Sequence, residues 1–304
     1  MLVGFDEADA FGQAEVSAFI NGLERLGWVN GRNVQIDVRG SAGGIDRLLR
    51  LMDELLDLRP DLIVTSTAPA TRAAKQRTTS IPVLFIGLAD PTVSGLVTNI
   101  TRPETNITGF AYDDPKVAGK WLGLLKEAAP QIERVAIIFN PEVTLTYWLT
   151  ETEAAASILG VRAIRTPVRN VADLQQAIEA LAAGPPCGLV PLPPPMAPDL
   201  RQSVIALAAK HRLPAIYYSR VASNLTGGFG FQVGGLMSYG PDRLDPILNG
   251  GPQYADRILR GENVSNLPVQ FPTKYELVLN RRTAKAIGLE FPATLLALAD
   301  EVIE

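Results

Sequence analysis

Apolar and polar positions along the chain alternate between two periods, and the alternation outlines the architecture. The organising stretch is Ile81 to Val97, IPVLFIGLADPTVSGLV. Pro82 opens an apolar, β-rich run from Val83 to Ile86, the pattern of a strand buried on both faces of a parallel sheet. Gly87 breaks the run, Asp90-Pro91-Thr92 turns the chain, and Ser94 and Gly95 follow. Such a turn brings backbone N–H groups and a carboxylate to the carboxyl edge of a sheet, where open α/β sheets bind ligands. Taken alone, Ala89-Asp90-Pro91 reads as an ordinary strand-to-helix connection with Asp90 as its cap. Recurrence of the same construction along the chain is what favours a site.

Met1-Leu2-Val3-Gly4-Phe5 has the pattern of the second half of a strand, so a native leader and the strand's first residues are expected to have been cut away. Asp6 to Asp9 then leads into a helical pattern through Val16, Phe19, Ile20, Leu23 and Leu26. Asn33 to Val38, NVQIDV, alternates as a strand, and Leu48 to Leu58 is an amphipathic helix closed by Arg59-Pro60. Leu62-Ile63-Val64 is a short buried strand that empties into Thr65-Ser66-Thr67-Ala68-Pro69, and a helix runs from Ala70. That junction places hydroxyls at capping positions and a proline in the first turn. Ile107 to Phe110 closes the first series. Strand and helix in this order predict a parallel, doubly wound lobe.

A second series begins after Asp114. Helix Val117–Ala128 leads to strand Val135–Phe139, which ends at Asn140-Pro141-Glu142 before a helix with Tyr147 and Trp148 near its start. Val161–Val168 is a strand, Val171–Ala182 a helix, and Gly188–Pro191 a strand running into Leu192-Pro193-Pro194-Pro195, where prolines forbid a helix until about Ala197. Helix Asp199–His211 and strand Ala215–Tyr218 complete a second lobe of the same kind. The tail breaks the alternation. Gly227 to Gly235 is glycine-rich, a helix is interrupted at Asn249-Gly250-Gly251-Pro252, Leu267–Gln270 and Glu276–Leu279 are extended, and Pro292 onward is a terminal helix. Late elements packing on the first lobe would make a hinge of more than one strand. The expected fold class is therefore α/β, with two doubly wound parallel-sheet lobes joined by a multi-strand hinge.

Composition narrows the chemistry. With 304 residues, 47% hydrophobic and 20% charged, the chain suffices for two folded domains. A formal charge of −4 without a Lys/Arg block argues against nucleic acid as partner. The single cysteine, Cys187, excludes internal disulfides, and its apolar surroundings point to a buried, inert thiol. The single histidine, His211, lies in the basic last turn of a helix, where it favours the dipole. One His and one Cys deprive Ser-His-Asp, Cys-His and zinc chemistry of their candidates, and no cofactor or metal is expected. No apolar run reaches membrane-spanning length.

Several motifs together resemble one family. Gly22-Leu23, Leu26-Gly27-Trp28 and Gly31-Arg32-Asn33-Val34 are similar to the "GL..LGW..GRNV" opening of bacterial ABC transporter solute-binding proteins of the tryptophan/tyrosine type. Asp90-Pro91 with Ser94 to Val97, Asn106 to Phe110, Phe139-Asn140-Pro141, Gly234 to Pro241 and the ending Ala284–Leu289 to Ala299–Glu304 are similar to later motifs. The resemblance implies a type I periplasmic-binding fold and delivery of a ligand to a membrane permease. It also implies a periplasmic or extracytoplasmic protein, made with a leader and acting as a monomer. The expected division is 1–112 with about 240–266, and 113–239 with about 267–304, around a ligand cleft. Ser223 to Gly230 and Asn249 to Pro252 depart from the family pattern in ways that can alter the cleft rim or hinge.

The strand ends supply the candidate ligand residues: Phe5 and Asp6; Thr65, Ser66 and Thr67; Ala89 and Asp90; Asn140 and Thr144; Leu192 and Pro193; Tyr217 and Tyr218; and Ser238. Helix N-termini at Ser66-Thr67 and near Thr144 can hold a carboxylate, and Asp90 or Asp6 an ammonium. Tyr112, Tyr147, Trp148, Tyr217 and Tyr218 can form an apolar box, although about half of them are expected in a core. A small carboxylate, such as an aromatic or branched amino acid, fits these parts. Two other readings stay open: a carboxylate hydrolase using Asp90 and Glu142, and the effector domain of a regulator sharing the fold.

Overall fold

A computed structural model of the chain describes residues 2–3, 10–40, 45–88, 91–92, 94–112, 116–142, 144, 146–193, 198–218, 234–241 and 246–304. It comprises two compact units, Met1–Asp114 with Asp242–Thr273 and Pro115–Pro241 with Lys274–Glu304, so the chain passes between them three times. In order the elements are β1 (Leu2–Val3), α1 (Ala10–Arg25), β2 (Arg39–Gly40), α2 (Ile45–Asp57), β3 (Ile63–Thr65), α3 (Ala68–Arg77), β4 (Val83–Leu88) and β5 (Ile107–Ala111). Then come α4 (Val117–Ala128), β6 (Arg134–Phe139), α5 (Thr146–Ile158), β7 (Arg162–Pro167), α6 (Val171–Ala182), β8 (Cys187–Pro191), α7 (Pro198–Lys210), β9 (Ile216–Tyr217) and β10 (Met237–Pro241). The last are α8 (Gly251–Leu259), β11 (Tyr275–Asn280), α9 (Arg281–Ile287), α10 (Ala293–Leu298) and β12 (Glu301–Ile303).

The first unit is built on a parallel sheet of order β2-β1-β3-β4-β5. Alternate residues of its central strands serve two cores. Ile63 and Phe85 pack with Leu48, Met52 and Leu55 of α2 and Ala70 and Ala73 of α3. Val64, Leu84 and Ile86 pack with Phe19 and Leu23 of α1 and Tyr254, Ala255 and Ile258 of α8. Apolar side chains are needed on both faces, which explains the unbroken apolar run at Val83–Ile86.

The second unit repeats the design. Strands β7-β6-β8 are parallel, and Leu189 N–H donates to Pro214 O at 2.8 Å beside a bridge to Ala215, linking β8 to the start of β9. Ile137, Val190 and Ile216 face Trp121, Leu125 and Trp148 of α4 and α5, whereas Ala136, Ile138, Leu189 and Tyr217 face Leu174, Ile178 and Val204 of α6 and α7. Beyond β9 the order continues β10-β11-β12, with β10 and β11 antiparallel. Cys187 is buried, and that burial pushes its thiol pKa up, as an inert thiol requires.

Four expectations change. Asn33–Val38 is not a strand: Asn33 Oδ1 accepts Val29 N–H at 2.7 Å, Asn30 Oδ1 accepts Ile36 N–H at 2.9 Å, and only Arg39–Gly40 joins the sheet. Asparagine side chains have here taken the backbone donors a ladder would use. The terminal helix stops at Leu298, because Asp300 grips Leu277 through both its N–H (2.9 Å) and its carboxylate (2.7 Å) and directs the chain into β12. Residues 267–273 belong to the first unit, where Val269 N–H donates to Ile100 O at 2.7 Å and Gln270 N–H to Gly109 O at 2.9 Å. The interruption at Asn249–Pro252 is a π-helical turn, Pro246–Gly250, running into α8. It packs against Gly22 of α1, where a Cβ would lie 2.4 Å from Pro252 Cγ, a close helix approach within that unit. Ser223–Gly230 lies outside the described residues.

Candidate functional site

At the carboxyl edge of the first sheet, the strand order reverses between β1 and β3, the switch point at which open α/β sheets take ligands. Thr65-Ser66-Thr67 leaves β3 there. Thr67 is extended (φ −141°, ψ 154°), its side chain accepts Ala70 N–H at 3.3 Å, and Pro69 occupies the first turn of α3. Thr71 Oγ1 donates to Thr67 O at 2.9 Å, so in the 2.7 Å contact between Thr65 Oγ1 and Thr71 Oγ1 the proton comes from Thr65. Both threonines are thus committed to holding the junction. Ser66 differs: its Oγ is buried and has no hydrogen-bond partner among the described residues. A buried hydroxyl left unpaired costs about 1–3 kcal/mol, so its position at a ligand edge is informative.

The next strand end is fixed by glycine. Gly87 has φ +88°, the register shifts between Ile86 and Leu88, and the Tyr112 ring lies where a Cβ on Gly87 would sit, 2.1 Å from Cε2. Tyr112 N–H donates to Leu88 O at 2.8 Å, and its hydroxyl donates to Glu15 Oε1 at 3.3 Å. Glu15, 6% exposed, is a buried carboxylate beside this strand end that the sequence reading does not single out. Its signal was available: it lies four residues before core residue Phe19 and eight before Leu23, a charge on the apolar face of α1. Phe5, Asp6, Ala89 and Asp90 lie outside the described residues. Beyond them, Pro91 O accepts from Leu96 N–H at 2.9 Å and from Ser94 Oγ at 3.0 Å, closing the turn that follows β4.

In the second unit the corresponding edge lies beyond β6, β8 and β9. Asn140 Oδ1 accepts Glu142 N–H at 2.9 Å and its backbone O accepts Thr144 N–H at 2.9 Å, so Asn140 shapes the loop before α5. Glu142 is exposed and stands 3.6 Å from exposed Arg169, a solvated ion pair without the burial of a catalytic acid. Leu192 and Pro193 are buried after β8. Ser238 of β10, in register with Tyr217, is fully buried, and its Oγ also has no partner among the described residues.

Of the aromatic side chains considered for a box, Trp148 and Tyr218 lie in one core of the second unit and Tyr217 in the other. Trp148, 1% exposed, stacks on Trp121 (5.3 Å between ring centroids, 21°), and Tyr218 meets Trp121 edge-on at 6.0 Å. Trp121 of α4 donates Nε1–H to Tyr239 O at 2.7 Å. Tyr217 faces the opposite core, where burial raises its hydroxyl pKa. Tyr112 belongs to the other unit, and Tyr147 is the one half-buried member. Adjacent strand residues point to opposite faces, which is why Tyr217 and Tyr218 cannot share a wall.

Among the described residues no group of three or more His, Cys, Asp or Glu side chains is gathered as a metal site needs, and no helix is long and apolar enough to cross a membrane. The family model described as ABC transporter substrate binding protein matches residues 5–303. A tyrosine-binding protein of Clostridioides difficile (strain R20291) is 24% identical over 273 residues, covering 90% of this chain and 76% of the relative. Two solved structures share the fold over 99% of this chain and 98% of theirs. One is a conserved domain protein from Vibrio cholerae (TM-score 0.79, 22% identity). The other is an ABC domain from Streptococcus pneumonia in complex with L-Trp (TM-score 0.80, 19% identity).

Proposed function

The chain belongs to the family of ABC transporter substrate-binding proteins, and on that premise we propose that it captures an aromatic amino acid outside the cytoplasm and hands it to a membrane permease. The relatives' tyrosine and L-Trp support this solute class. The protein binds its solute without converting it and works as a monomer. The ligand residues are those on the carboxyl edges of both sheets: Ser66 and the Thr67 cap beside the α3 N-terminus for the carboxylate, the segments after β1 and β4 with Asp6 and Asp90 for the ammonium, and Tyr147 and Ser238 from the second unit.

The observation that carries the reading is the buried Ser66 hydroxyl, without a partner among the described residues, at the switch point of the first sheet. A solute carboxylate beside it would restore the missing hydrogen bond. Ser66→Ala should therefore weaken binding of L-Trp or L-Tyr by roughly 10–100-fold, the value of a hydrogen bond to a charged group. The empty protein should be no less stable, because an unpaired buried hydroxyl has been removed. Calorimetric titration with thermal unfolding of the unliganded variant reads both. Unchanged affinity would remove Ser66 from the site, and a large stability loss would make it structural.

Solute binding on this reading draws on groups of both units and closes them. Saturation should lower the radius of gyration in solution scattering. A radius unaltered by saturating solute would strike closure from the account.

A further inference from the structure

At the carboxyl edge of the first sheet, the end of β4 is shaped by Tyr112 as well as by its ladder. Ile86 of β4 pairs with Phe110 of β5 and Leu88 with Ala111, so Gly87 is an extra residue with none opposite it. A bulge of this kind bends a strand and re-aims the chain that follows. Tyr112, the residue after β5, touches the bulge twice. Its N–H donates to Leu88 O at 2.8 Å, and its ring lies against Gly87, where a Cβ would stand 2.1 Å from Cε2 and 2.6 Å from the hydroxyl oxygen.

The second contact holds only while the ring keeps its setting. Its hydroxyl donates to Glu15 Oε1 at 3.3 Å, and Tyr112 and Glu15 are both buried. On α1, Glu15 lies one turn before Phe19 and two before Leu23, and those two pack with Leu84 and Ile86 of β4. Apolar contacts thus seat the helix on the strand, and the carboxylate one turn along refers the Tyr112 ring to that frame. Glu15, Gly87, Leu88 and Tyr112 all belong to the first unit.

A leucine at position 15 would continue the apolar face of α1 without the desolvation cost that a buried carboxylate carries. What the carboxylate adds is direction. Apolar contact is non-directional, whereas a hydrogen bond to a fixed acceptor selects one setting of the ring.

We propose that Glu15 is a positioning residue for solute binding: through the Tyr112 hydroxyl it holds the ring on Gly87 and so sets the course of the chain at the end of β4. Its role in binding rests on the reading of this edge as the solute site; its role in shaping β4 does not.

The test uses the full chain carrying Glu15→Leu, Tyr112→Phe or both, with Glu15→Gln as the conservative replacement. Hydrogen exchange at the Tyr112 amide, which reports its bond to Leu88 O, should quicken about tenfold in Glu15→Leu and in Tyr112→Phe, the worth of one hydrogen bond. Affinity for L-Trp or L-Tyr, read by calorimetric titration, should fall about tenfold in both. The double variant should be no worse than either single one, because both remove the same bond. Glu15→Gln, whose amide oxygen still accepts, should restore most of each loss. The unfolding temperature of Glu15→Leu should not fall, whereas a residue needed only for stability would lower it. Unchanged exchange at Tyr112, or additive losses in the double variant, would overturn the proposal. Faster exchange with affinity intact would equally overturn it, by confining Glu15 to local structure. An original chain that binds neither amino acid would remove the binding role together with the solute reading, and exchange would then decide the shaping role alone. If Glu15→Leu fails to fold, Tyr112→Phe, which removes only the hydroxyl, makes the same comparison against Glu15→Gln.

Discussion

Trp148→Ala should destabilise the protein by about 3–5 kcal/mol, the range for deleting a fully buried large aromatic side chain. Trp148 stacks on Trp121, meets the Tyr218 ring at 6.4 Å, and lies in the core that α4 and α5 build on one face of the second sheet. Removing the indole leaves a cavity that two facing rings cannot fill without abandoning their own contacts, including the Trp121 bond to Tyr239 O. Chemical denaturation of the variant reads the loss. A variant as stable as the original but unable to bind aromatic amino acids would return Trp148 to the ligand wall and contradict its placement in the core.

The second large effect is at Gly87. Gly87→Ala places a Cβ inside the Tyr112 ring and forces a non-glycine residue to φ +88°. Backbone strain of this kind costs about 1–3 kcal/mol, and overpacking a filled site about as much again. The ring cannot yield cheaply, because Tyr112 is tied to Leu88 O through its N–H and to Glu15 through its hydroxyl. A stability loss of roughly 2–5 kcal/mol is expected, with weakened solute binding because β4 delivers the chain to Asp90. Tyr112→Ala in the same chain should recover the steric part and leave the φ penalty, so a double-mutant cycle separates them. Additive effects would show that ring and glycine are not in contact.

Much of this was legible beforehand, for identifiable reasons. Val83–Ile86 and Val135–Phe139 announce themselves because a strand covered on both faces must be apolar at every position. Thr65-Ser66-Thr67-Ala68-Pro69 carries its capping chemistry in its residue types. The residues 33–38 misled because their alternation is genuine, while Asn30 and Asn33 spend their side chains on the backbone that pairing would need. Residues 267–273 were misassigned because nothing local says that Gln270 pairs beside Phe110. The fit of Gly22 to Pro252 joins residues far apart in sequence and shows only in three dimensions. Of the candidate site, the capping residue types at the end of β3 are legible, whereas grouping Tyr217 with Tyr218 in one box overlooks the period-two alternation that sends them to opposite cores. Which hydroxyl stays unpaired is not legible: Thr65, Ser66 and Thr67 are chemically alike, and only the position of Thr71 one helical turn on decides that the threonines are engaged and the serine is not.

The central claim is capture of an aromatic amino acid, and calorimetric titration of the purified protein with L-Trp and L-Tyr, with a sugar and a nucleoside as controls, tests it most directly. The account predicts one solute molecule per chain, recovered unchanged after binding, and a stabilisation of about 2.7 kcal/mol at a hundredfold excess over the dissociation constant. Binding of the sugar or nucleoside with no response to either amino acid would contradict it.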